Sequence, residues 1–70
     1  MSKTYKKKLE IAYCVEIGKT AFAHGLKCIP ASDKNIMSVI SDNNRVLNTC
    51  DVLKAWIAGW TQANLEEKEI

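Results

Sequence analysis

Asn48-Thr49-Cys50-Asp51-Val52-Leu53-Lys54-Ala55-Trp56-Ile57-Ala58-Gly59-Trp60-Thr61-Gln62-Ala63 decides the fold. Val52, Leu53, Trp56, Ile57, Trp60 and Ala63 recur in steps of one and three, the pattern of an amphipathic helix. Asn48 or Thr49 supplies an N-cap, and Asp51 sits where the helix dipole favours a negative charge. Trp56 and Trp60 are one turn apart and share a face. Gly59 and Ala63 beside them leave a groove. The polar tail, residues 65–70, is expected to fray.

Working outward, a second helix is predicted from Lys3 to His24. Tyr5, Leu9, Ala12/Tyr13 and Ile17 form one apolar row, and Ile11, Val15, Gly18, Phe22 and Leu26 form another. Gly25 is the natural stop, since it adopts the left-handed conformation of a C-terminal cap. Pro30 prevents resumption. Gly18 costs about 1 kcal/mol relative to Ala within a helix, tolerable where a neighbour must come close. Gly18, Ala21 and Gly25 make a smooth strip, and the indoles of Trp56 and Trp60 are expected to lie across it. Between the two helices, Ser32 can cap a short helix ending near Ile40. Residues 41–44 read as a turn and 45–47 as a connector. The expected architecture is all-α: an antiparallel helical hairpin of two long helices, with a short helix in the connection.

The chain has 70 residues, room for one small domain (1–70). A domain of this size buries only about 60% of the surface its unfolded chain exposes. A partner or a second copy, giving a homodimer, is therefore a candidate cover for leftover apolar surface. At 47% hydrophobic and 26% charged the composition is that of a globular protein rather than a disordered one. No apolar run reaches membrane-spanning length, and no signal-peptide core follows the early lysines, so the reading is cytoplasmic. Cys14, Cys28 and Cys50 have no CxxC or zinc-knuckle spacing, and they read as buried thiols. A zinc shell of these three with His24 is the alternative. With one His and no phosphate loop, nucleophile elbow or HExxH, nothing points to an enzyme, a cofactor or a metal.

Charge is asymmetric. Residues 1–27 hold six lysines against Glu10 and Glu16, while residues 28–70 hold four bases against six acids. Lys3, Lys6, Lys7, Lys8, Lys19 and Lys27 are the candidate contacts to a phosphate backbone. A solvated helix face is their bland alternative. Tyr5, Tyr13 and Phe22 could stack on bases, but at helical spacing aromatics are more often core.

Gly18-x-x-Ala21-Phe22-x-x-Gly25, then Cys28-x-Pro30, then Trp56-Ile57-Ala58-Gly59-Trp60-x-x-Ala63 resembles the signature of the ribosome modulation factor family, over about residues 11–64. The resemblance implies a basic helical hairpin built on these residues. It implies a ribosomal RNA partner on the small subunit, translation regulation by ribosome hibernation, and lysines of the first helix on RNA phosphates. Similar domains occur in phage and plasmid proteins, and one relative has been proposed to modify a fluoroquinolone. This chain departs from the family in residues 31–55, an insertion of 25 residues between Pro30 and Trp56, in Ala31 where an aromatic is common, and in having one Arg. The insertion carries Ile36, Met37, Val39, Ile40, Val46 and Leu47, more apolar than a passive loop requires. That makes it the candidate surface for a host protein in the rival reading, a protein-binding module of a mobile element.

Overall fold

Glu10, Cys14, Ile17, Gly18 and Ala21 follow one another at helical spacing, and all but Glu10 are buried. In the computed structural model, which describes the backbone of residues 3–68 and the side chains of residues 6–67, this stripe is the inner face of helix α1, Lys3–Ala23. Leu9, Ile11 and Tyr13, expected on the apolar face, are exposed. The true stripe is narrower than the two predicted rows. Helix α1 stops as expected. Gly25 takes φ 81°, its N–H donates to the Phe22 carbonyl at 2.9 Å, and Leu26 N–H donates to the Ala21 carbonyl at 3.0 Å. That double bond is the Schellman motif, and a residue with a side chain would strain it.

A 3₁₀ turn over Pro30–Ser32 leads into α2, Lys34–Ser41. The N-cap of α2 is Asp33 rather than Ser32, with the Asp33 carboxylate accepting from Asn35 N–H at 2.9 Å. The Ser32 hydroxyl turns back to the Ile29 carbonyl instead. Asp42 makes the next turn, its Oδ1 accepting from Asn44 N–H at 2.9 Å. Residues 45–47 form a connector, and among the described residues no strand occurs. Asn48 then caps α3, Thr49–Lys68, through Oδ1 to Asp51 N–H at 2.8 Å. The helix continues through Leu65 to Lys68 where fraying was expected. Gln62 donates to Glu66 one turn on at 3.3 Å.

The all-α class holds, but the long helices do not form an antiparallel hairpin. Glu10 bonds residues 46 and 47, Gly18 lies on the backbone of Trp56, and Phe22 stacks against Trp60. Partner numbers on the α3 side rise with residue number from Glu10 through Gly18 to Phe22, so α1 and α3 run in the same direction. An antiparallel pair with Gly18 at Trp56 would put Leu47 roughly 25 Å from Glu10, given 1.5 Å of rise per residue. Residues 24–48, including α2, make the return journey, so the order is up, down, up.

The glycine strip also differs from expectation. No indole fills it. A Cβ on Gly18 would strike the Trp56 carbonyl oxygen and reach Trp60 N at 3.0 Å. One on Gly59 would come within 2.8 Å of the Val15 carbonyl carbon. The two glycines let the backbones of α1 and α3 touch. Gly25 takes no part, with open space around its missing side chain. Trp56 is fully buried and turns toward α2, where its Nε1–H donates to Asp33 Oδ2 at 2.8 Å. Asp33 thus caps one helix and anchors another. Trp60, half-buried, meets Phe22 edge-on at 5.3 Å and donates to the Leu26 carbonyl at 2.9 Å. The insertion is part of the core: Ile36 and Leu47 are buried with Cys14, Val52 and Trp56.

Candidate nucleic-acid interface

Parallel packing fixes where the charge sits. Glu10 is level with the connector that precedes α3, so residues 3–9 extend past the start of α3. Among the described side chains of this stretch, Lys6, Lys7, Lys8 and Leu9 are all exposed. Three consecutive residues at 100° per step spread their ammonium groups over more than half the helix circumference. No acid occupies the first turn of α1, so the positive end of the helix dipole adds to the lysines instead of being neutralised. Such an end costs helix stability and favours an anion.

Glu10 is the nearest carboxylate in sequence, and it faces inward. Its two oxygens accept from Val46 N–H at 2.6 Å and Leu47 N–H at 2.9 Å. This clamp ties the connector to α1 and turns the charge of Glu10 away from the lysines. Sequence reading missed it, although an acid on the apolar stripe, four residues before Cys14, was a usable signal.

The remaining lysines do not join the cluster. Lys19 lies three turns above Lys8, roughly 16 Å along the axis. Its Nζ is 3.9 Å from Glu16 Oε1, an exposed contact of little energetic weight. Lys27 is exposed beyond the opposite end of α1. The side chain of Lys3 lies outside the described residues, as does that of Tyr5. Of six candidates the described geometry gathers three, Lys6, Lys7 and Lys8.

Arg45 is a structural residue. It donates to the Leu47 carbonyl at 3.0 Å and to Thr49 Oγ1 at 2.9 Å, and it also reaches the Ile40 carbonyl. Its guanidinium therefore joins the end of α2 to the start of α3. Phe22 and the two tryptophans are likewise engaged in packing, whereas Tyr13 keeps 60% of its surface exposed.

The thiols divide. Cys14 is buried against α3, and Cys28 and Cys50 are exposed, against the expectation that all three are core. Burial pushes the Cys14 thiol above its ordinary range, and the Glu10 carboxylate adds to the effect. Among the described residues no three His, Cys, Asp or Glu side chains converge to hold a metal, so Cys14, Cys28, Cys50 and His24 are not brought together.

The residues of the rival reading scatter too. Ile36 and Leu47 are core. Val46 is half-buried at the Glu10 clamp, and Val39 faces Tyr13 across a polar recess. Met37 and Ile40 line an apolar groove of about 400 Å³, together with Ile29, Pro30, Ala31 and Leu53. Among the described residues no helix is long and apolar enough to cross a membrane. No family model matches the chain, and neither a curated protein nor a solved structure does so.

Proposed function

We propose that this protein is a non-enzymatic, ribosome- or RNA-associated regulator that holds RNA phosphates with the lysine-bearing end of α1. One observation carries the reading. Lys6, Lys7 and Lys8 project from a helix end that has no first-turn acid, and the neighbouring Glu10 is spent on the connector. The resemblance to the ribosome modulation factor family contributes less, because the parallel α1 and α3 depart from the hairpin it implies; what remains of it is that Gly18, Trp56, Gly59 and Trp60 lie where α1 and α3 cross. Lysines attract a phosphate backbone without the bidentate contacts of arginine, so the binding is electrostatic, salt-dependent and indifferent to sequence at this end. Regulation would follow from occupancy, the protein covering an RNA surface that translation needs. Co-sedimentation with purified ribosomal subunits at low and moderate salt tests this. Recovery with a subunit, weakened by salt and by K6Q/K7Q/K8Q, is expected; absence from both subunits at low salt removes the proposal.

The apolar groove favours a second reading, a module that engages a host protein. Ile29 and Met37 in its wall are 52% and 40% exposed. Deleting residues 34–47 would not test it cleanly, because Ile36 and Leu47 belong to the core. Met37→Glu and Ile29→Glu leave the core intact. Pull-down of a defined partner that survives both substitutions rejects the groove.

A further inference from the structure

We infer that the recess between α1 and α2 seats an unpaired guanine, stacked on Tyr13. The inference rests on the RNA reading above and names a base-recognition site within it. The recess measures about 420 Å³ and is lined by Tyr13, Asn35, Ser38, Val39, Ser41 and Asp42. Tyr13 is the one aromatic among the described residues left exposed, and nothing in the helical packing accounts for it. Unpaired bases stack on such rings and are read along their edges. Val39 supplies an apolar floor.

The polar groups around the ring are in part uncommitted. Asp42 uses Oδ1 for Asn44 N–H, leaving Oδ2. Ser41 donates its proton to the Met37 carbonyl and keeps its lone pairs. Among the described residues the side chains of Asn35 and Ser38 enter no hydrogen bond. The free Oδ2 accepts only, which suits the N1–H donor of guanine, and the second lone pair of Oδ1 remains for N2–H, while Asn35 and Ser38 can donate to O6 and N7. Adenine has no N1–H and offers Asp42 a poorer edge. Lys6 lies two turns before Tyr13 on the same face of α1, so a strand leaving the recess meets the basic end.

The experiment is an amide NMR titration of the full chain with GMP, AMP, ribose 5-phosphate and arginine amide. GMP is expected to shift Tyr13, Ser38 and Asp42, with AMP at least fivefold weaker and ribose 5-phosphate confined to the lysine turns. Tyr13→Ala is expected to weaken GMP about 5- to 150-fold, the range of one base–aromatic stack. Tyr13→Phe retains binding, and Asp42→Asn erases the preference for GMP over AMP. The inference is overturned if GMP leaves the recess unmoved, if ribose 5-phosphate moves it equally, or if Y13A binds like wild type. It is also overturned if arginine amide alone occupies the recess, which would make this a peptide site. Loss of ribosome binding with GMP shifts intact would strike the phosphate reading and leave the recess standing.

Discussion

Replacing Gly18 with Ala tests the contact on which the fold turns. In an ordinary exposed helix the change stabilises by about 1 kcal/mol. Here the new Cβ would lie 3.0 Å from both the Trp56 carbonyl carbon and Trp60 N, and nearer still to the Trp56 oxygen. All three are backbone atoms, so no rotamer change relieves the clash and α3 must move away. Overpacking of this kind costs about 1–3 kcal/mol. Moving α3 also stretches the Trp56–Asp33 and Trp60–Leu26 hydrogen bonds, each worth about 1 kcal/mol. After subtracting the propensity gain, the net loss is about 3 kcal/mol. A chain of this length has roughly 3.5–10 kcal/mol of stability in all. At about 4–8 °C per kcal/mol, the melting temperature should fall by about 12–24 °C, read by circular dichroism at 222 nm. Gly25→Ala is the control: its Cβ meets nothing, and only the left-handed backbone at φ 81° is strained, costing about 1–2 kcal/mol. A G18A protein as stable as G25A, or more stable than wild type, refutes the close crossing.

Three further outcomes are expected. Asp33→Ala removes the α2 cap and leaves the buried Trp56 N–H without a partner, a loss of about 2–4 kcal/mol by urea unfolding; Asp33→Asn, with one acceptor oxygen, should lose about half as much. Glu10→Ala should speed hydrogen exchange at the Val46 and Leu47 amides about 10- to 100-fold while leaving Asn35, held by Asp33, unchanged; equal exchange at all three contradicts the clamp. Cys28 and Cys50 should react with a disulfide reagent at neutral pH, and Cys14 only after unfolding. Because the folded Cys14 thiol keeps its proton to higher pH than the unfolded one, its contribution is intact below the ordinary value of 9.0 and is lost as pH rises through the raised folded value. A stability that grows with pH above that point contradicts the sign.

Local signals in the sequence led to the right elements, and tertiary choices escaped it. The Schellman end at Gly25, the Asn48 cap and the periodic run from Val52 to Ala63 each depend on a few neighbouring residues, so they were legible. The α2 cap was misplaced by one because Ser32 and Asp33 are both good caps; only the buried Trp56 indole selects Asp33. Helical periodicity records which face is apolar and carries no direction, hence the error over α1 and α3. Small residues at positions 18 and 59 announce close approach without saying whether a side chain or a backbone arrives. The lysine run was plain in the sequence. Its setting, a helix end clear of α3 with Glu10 turned inward, depends on the parallel register and was not.

The central claim is that Lys6, Lys7 and Lys8 meet RNA phosphates, and the salt dependence of binding measures it most directly. The affinity of wild type and of K6Q/K7Q/K8Q for ribosomal RNA should be followed from low to moderate salt. On a log–log plot the slope should be shallower by about 2–3 in the triple variant, close to one unit per lost phosphate contact. An unchanged slope would contradict the assignment of those contacts to this end of α1, and no binding by wild type at low salt would contradict the account as a whole.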